Sequence, residues 1–136
     1  MRIVLLLTCL TLTACAAFPQ KDLGKVQPLA ARFSEAMRWQ DYTGAVGFLA
    51  AEHRAAFLEQ FLDSPDLHVV DSQVLGLIYD DQQQQVTATY ALDYYLLPST
   101  RIQRWQWRQQ WQRQISPSGR KSSWLITNPA PLLNAP

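Results

Sequence analysis

Aromatic and basic side chains alternate in one short segment, RWQWRQQWQRQ, residues 104–114. Such a mixture suits nucleic-acid binding, insertion at a membrane surface, or one strand of an ordinary sheet. At strand spacing Trp105, Trp107 and Trp111 share one face with Ile115, and the other parity holds only Arg and Gln. At helical spacing, about 100° per residue, Trp105 and Trp107 fall on nearly opposite sides of the helix. The segment is therefore predicted to be a strand with one aromatic face and one basic face.

Aromatic side chains on this strand and its predicted neighbours form the first candidate site. They are Tyr90, Tyr94, Trp105, Trp107, Trp111 and Trp124. As a functional site, the set would line a pocket for an apolar or flat ligand, since ligand pockets are mostly apolar and aromatic. As a structural element, it would be the core between the sheet and the helices. The sequence leaves both interpretations open. Both can hold together if the deeper rings pack in the core and the rings at the rim bind a ligand.

Arginines on and near the basic face of the predicted strand form the second candidate site. Arg104 and Arg108 lie on that face, with Arg101 and Arg113 close by. Every acidic residue lies between Asp22 and Asp93, so residues 94–136 carry basic residues and no acid. The face is either a solvated outer surface of the sheet or a site for an anionic partner. Lipid head groups, a cell-wall polymer and an acidic protein patch are the candidate partners.

The residue types used in catalysis and metal binding do not form a recognisable pattern. His53 lies near a predicted helix start, His68 at the entry of the first predicted strand, and Asp93 on the parity opposite Tyr90 and Tyr94. No H-x-x-x-H, H-E-x-x-H, G-x-S-x-G or glycine-rich phosphate loop is present. We therefore expect no catalytic residue, no metal site and no cofactor.

The chain opens with a positive charge, an apolar run and small residues, in that order. Arg2 precedes IVLLLTCLTL (3–12), and LTAC (12–15) ends the run. This order predicts a secretory signal, because the apolar run is too short to cross a bilayer as a mature helix. LTAC resembles the lipobox of bacterial lipoproteins. The resemblance implies removal of residues 1–14 and a lipid on Cys15, which anchors the chain in a membrane.

The same resemblance implies a location. Cys9 would leave with the signal, so no disulfide is expected in the mature chain. Ala16, rather than an aspartate, follows Cys15. In lipoproteins of Gram-negative bacteria this favours the inner leaflet of the bacterial outer membrane, facing the periplasm. A protein in that place rarely meets nucleic acid, so no nucleic-acid partner is expected for the 104–114 segment.

Helical spacing gives way to strand spacing along the chain, which predicts an α+β domain over residues 28–128. The expected architecture is three N-terminal helices packed on one face of a curved four-stranded antiparallel meander. A tether (15–27) precedes helices that begin at Pro28, Asp41 and Ala51. The predicted strands are 67–79, 86–97, 101–115 and 122–127. Residues 129–136 are predicted to form a proline-rich tail.

WQDYTGAVGFLA (39–50) resembles the helical opening of the nuclear transport factor 2-like cone fold. The resemblance covers roughly residues 28–128 and implies a curved, aromatic-rich sheet that closes a cone. The strand pair that many members place between their second and third helices is missing, which leaves a smaller variant, cystatin-like, open. The favoured function is a non-catalytic, lipid-anchored domain that binds a protein or an anionic envelope component. The alternatives are a carrier of small apolar ligands and a cone-fold enzyme.

Overall fold

Helices and strands separate along the chain in the computed structural model, which describes residues 20–133. Within that range the fold is α+β, with three α-helices and one 3-10 turn followed by an open, four-stranded antiparallel sheet. The elements are α1 (Gln20–Arg38), α2 (Tyr42–Ala45), the 3-10 turn (Val46–Phe48), α3 (Ala51–Leu62), β1 (Leu67–Asp80), β2 (Gln85–Leu96), β3 (Gln103–Ile115) and β4 (Ser122–Ile126). The signal (1–14) and Cys15 lie outside the described residues.

Helix α1 begins at Gln20, not at Pro28, so residues 20–27 of the predicted tether are helical. The physical reason is the continuation of the apolar stripe toward the N-terminus. Val26 is fully buried and Leu23 packs against the core, at helical spacing from Ala30. Burial of side chains on these two extra turns offsets the helix hydrogen bond that Pro28 cannot donate.

The predicted cap at Asp41 is present, and the helix that it starts is short. The Asp41 carboxylate accepts a hydrogen bond from the Gly44 amide at 2.9 Å. A Cβ at position 44 would collide with that carboxylate, which explains the glycine there. Helix α2 ends at Ala45, and the 3-10 turn follows it directly. Helix α3 then covers the predicted range.

The sheet is a meander with strand order β1-β2-β3-β4, and each predicted strand is present. Cross-strand pairs such as Tyr90↔Trp107 and Trp111↔Ile126 place the aromatic residues in one layer. Strand β1 pairs with β2 through two irregularities, where Val70 and Leu75 are the extra residues. Such bulges bend an edge strand and discourage pairing with another chain.

The helices cover one face of this sheet, and no described element covers the other. Every second side chain is buried along β3, from Trp105 to Trp111, and β2 buries the same face from Val86 to Tyr94, with the small Ala91 of the other face buried as well. They pack against Phe33 and Met37 of α1 and Phe57 of α3. We call the covered side the inner face and the other side the outer face.

The C-terminal segment is packed on the domain through residue 133, although 129–136 was predicted to be a tail beyond it. The carbonyl of Pro131 accepts hydrogen bonds from Gln60 and from the Trp105 indole, each at 3.2 Å. The Leu133 amide donates to the Gln60 side chain at 3.2 Å, and Leu133 packs against the core. Prolines suit this extended segment because it lies beside the sheet and not within a ladder.

Candidate functional site

The predicted aromatic set forms the core on the inner face. None of its six members is more than 9% exposed, and Tyr90, Tyr94 and Trp111 are fully buried. The Trp107 ring lies 6.0 Å from Phe33 and 5.8 Å from Trp105, centroid to centroid. Tilted and edge-to-face contacts at these distances are favourable aromatic packing. The rings therefore fill the space between the sheet and the helices.

Surface grooves flank helix α1. One groove of about 460 Å³ runs between α1 and β1, lined by Leu23, Gln27, Ala31, Val74, Gly76 and Leu77. A second of about 460 Å³ lies between α1 and β4. Of the aromatic set, Trp124 alone lines either of the two grooves. The first groove has no aromatic lining, and the second has Phe48 and Trp124 at the surface, so neither groove opens among the buried rings of the aromatic set.

One inward-facing polar residue, Gln109, was not singled out from the sequence. Gln109 is fully buried and accepts a hydrogen bond from the Trp111 indole at 3.1 Å. Its side-chain nitrogen has no hydrogen-bond partner among the described residues. Its position in the sequence could have identified it, because at strand spacing it lies on the same face as Trp107 and Trp111. Ile115 lies on the same face, yet it is 70% exposed at the end of β3.

A buried hydroxyl cluster joins α1 to the sheet. The Ser72 hydroxyl donates to the Ser34 carbonyl at 2.8 Å and also lies 2.6 Å from the Tyr90 hydroxyl. Arg38 reinforces the junction by donating to the Ser72 carbonyl at 3.0 Å and pairing with Asp71 at 2.7 Å. Burial raises the pKa of Tyr90, so its phenol stays protonated. With no base against either serine hydroxyl among the described residues, the cluster is structural rather than nucleophilic.

Replacement of Ser72 by alanine should lower the free energy of unfolding by about 1–3 kcal/mol, because the Tyr90 hydroxyl loses its partner in a buried site. Urea unfolding followed by circular dichroism measures the change. Tyr90→Phe provides the matched control, and the double variant should lose less than the sum of the two single variants. Strictly additive losses would show that the two hydroxyls do not interact.

The outer face carries an ion pair that the sequence did not reveal. Arg104 on β3 is opposite Asp93 on β2, and its Nε and one terminal nitrogen donate to the two carboxylate oxygens at 2.7 and 2.8 Å. These hydrogen bonds hold the pKa of the Asp93 carboxyl below its ordinary value. Because Asp93 already balances the charge of Arg104, this arginine is less available to an additional anionic partner than its position on the face suggested.

The four predicted arginines do not share one face. Arg113 lies on the inner-face parity, 3.7 Å from Asp22 and against the Trp124 ring. Arg101 lies in the loop before β3. Arg108 is exposed in the middle of the outer face and has no ion-pair partner among the described residues. Of the four, Arg108 is the one best placed to bind an anion on the outer face.

The two histidines have structural partners. His53 lies 2.9 Å from the Thr127 carbonyl, which links α3 to the residue after β4. The His68 ring stacks on Tyr95 across the β1–β2 ladder, with centroids 5.1 Å apart. In residues 20–133 no group of three metal-ligating side chains converges on one point. Within residues 20–133, neither histidine forms an ion pair with a carboxylate.

Comparisons with family models, with curated proteins and with solved structures found no match to this chain. Among the helices of the described part of the chain, none has the length and apolar character to cross a membrane. The outer face, with the exposed Arg108 at its centre, is the strongest candidate for binding.

Proposed function

We propose that this protein is a non-catalytic bacterial lipoprotein, anchored by a lipid on Cys15 in the inner leaflet of the outer membrane. The support for the anchor is the LTAC sequence at the end of the apolar run. Two or more acyl chains hold a protein on a membrane stably, at roughly 0.8 kcal/mol per buried methylene. In this proposal the domain faces the periplasm and binds an envelope component.

The observation that carries the binding role is the uncovered outer face. Thr87 and Thr89 of β2 lie beside Gln110 and Arg108 of β3, and Gln106 continues the row. Amides, hydroxyls and one unpaired guanidinium give many hydrogen-bond donors and one net positive charge. That set suits a polar, anionic partner such as a cell-wall polymer or an acidic protein surface.

We also propose that the fold is a small relative of the nuclear transport factor 2-like or cystatin-like α+β folds. The support is helices on one face of a four-stranded meander whose inner face is rich in aromatic residues. Between α2 and α3 the chain forms only the 3-10 turn and a single bridge from Leu49 to Ile126. The filled core favours a binding surface over a ligand-carrying cone.

Charge reversal at Arg108 tests the binding role. The full chain in detergent should be retained on isolated cell-wall material at low salt, and Arg108→Glu should weaken retention by up to about fivefold, since an exposed ion pair contributes up to about 1 kcal/mol. Raising the ionic strength should reduce retention of the unmodified chain, because salt screens exposed charges beyond about 10 Å at 0.1 M.

Arg32→Glu is the matched control, since Arg32 is an exposed cation on α1, which packs on the inner face. Its retention should stay close to that of the unmodified chain. Equal losses for the Arg32 and Arg108 variants would mean that net charge, not the outer face, governs retention. No retention of the unmodified chain would reject a cell-wall partner for this face.

A further inference from the structure

Several ends of elements meet at one end of the domain. β1 pairs with β2 up to Asp80↔Gln85, and β3 pairs with β4 up to Ile115↔Ser122. Both turns therefore project in the same direction. The start of α1 lies there too, because Asp22 is 3.7 Å from Arg113 near the end of β3. We call this the proximal end; the β2–β3 turn, 97–102, marks the distal end.

The early start of α1 keeps the proximal end near the proposed anchor. Only residues 16–19 separate Cys15 from Gln20. Even a fully extended chain covers about 18 Å over that separation, at 3.3–3.6 Å per residue. The distal turn lies about 40 Å farther along the sheet, from the length of β3 at about 3.3 Å per residue. The lipid therefore holds the proximal end close to the membrane surface.

Unpaired cations and one apolar side chain are clustered on the β3–β4 side of the proximal end. Arg120 and Lys121 lie in the β3–β4 turn, and Lys25 lines a groove beside Ser122. All three cations are exposed, and none has an ion-pair partner within residues 20–133. Ile115, at the base of the same turn, is 70% exposed. Basic and apolar residues together are the composition that binds membrane interfaces.

The acids of the proximal end are either paired with Arg113 or lie on the β1–β2 side, away from this cluster. Asp22 is opposite Arg113, which already balances it. Asp80 accepts hydrogen bonds from the Gln82 and Gln83 amides and closes the β1–β2 turn. That turn, which also holds Asp81, lies about 10 Å across the sheet from the β3–β4 turn, two strand spacings away.

We infer that the β3–β4 turn docks on the anionic lipid head groups of the membrane that holds the anchor. Lys25, Arg120 and Lys121 face the head groups, and Ile115 enters the interface. Gly119, with φ of 67°, gives the turn its tight shape. The domain then stands on its proximal end, so the distal turn points away from the membrane. The inference rests on the proposed lipid anchor.

Two engineered cysteines test this orientation, because the processed chain would keep no other free thiol. Ser118 in the β3–β4 turn and Ser99 in the distal turn each follow a proline, so they form a matched pair. Each single-cysteine variant of the lipidated full chain is labelled with a fluorophore and incorporated into vesicles of phosphatidylethanolamine and phosphatidylglycerol that carry a head-group quencher. The label at 118 should be quenched strongly and the label at 99 weakly.

Charge reversal and lipid composition identify the cause of docking. Arg120→Glu with Lys121→Glu should lower the ratio of docked to undocked domain by at least about fivefold for each charge removed. Vesicles of phosphatidylcholine alone should give the same loss. Quenching at 118 that survives both changes would overturn the role of anionic head groups.

Vesicle flotation separates failure of this inference from failure of the anchor. A chain that floats with the vesicles but shows equal quenching at 118 and 99 keeps its anchor and rejects the docked turn. A chain that does not float, and lacks lipid by mass spectrometry, rejects the anchor and the docking inference with it.

Discussion

Replacement of Trp107 by alanine is expected to lower the free energy of unfolding by about 3–5 kcal/mol. Trp107 is 3% exposed and its ring contacts Phe33, Phe57 and Trp105. Truncation removes the largest side-chain type from a layer in which helices and sheet meet, and the neighbouring rings cannot close the gap without moving the backbone. Denaturant unfolding of the unmodified and variant chains measures the loss.

Arg108→Ala is the adjacent control, since the next residue of the same strand faces solvent. Its cost should be only a few tenths of a kcal/mol, because exposed substitutions away from caps and ion-pair networks change stability little. The comparison separates inner-face packing from any general effect of changing β3. A larger loss for Arg108→Ala than for Trp107→Ala would contradict the assignment of the two faces.

The strands were predictable because burial on one face imposes a period of two on the sequence. The β3 prediction needed only the alternation of Trp with Arg and Gln, and the structure places Trp105, Trp107 and Trp111 inward. The start of α1 was missed because Pro28 resembles a first-turn proline. Leu23 and Val26 carried the correcting signal, since their spacing continues the buried stripe toward the N-terminus.

The candidate site was less predictable because it depends on contacts between distant residues. The pairing of Arg104 with Asp93 follows from the register of β2 against β3, which alternation alone does not fix. The position of Arg113 beside Asp22 depends on where α1 begins. Likewise, the packing of residues 129–133 on Gln60 and Trp105 comes from tertiary contacts that local composition does not encode.

Cys15→Ala is expected to abolish lipid attachment completely. Without the thiol, the cysteine-linked lipid cannot be attached, and the lipoprotein peptidase should leave the signal uncleaved. Metabolic labelling with a palmitate analogue should mark the unmodified chain and leave the variant unlabelled. The mass of the purified variant should correspond to the uncleaved, unlipidated chain.

Cys9→Ala is the matched control, because Cys9 is the other cysteine of the chain and lies inside the apolar run. If the lipid is on Cys15, the Cys9 variant should keep its label, its processing and its membrane attachment. Label that persists in Cys15→Ala would contradict the lipid anchor on Cys15. Loss of label in Cys9→Ala alone would show that the lipid is attached to Cys9. The comparison also bears on orientation, since only a lipid at Cys15 leaves so short a link to α1 that the proximal end must stay near the membrane.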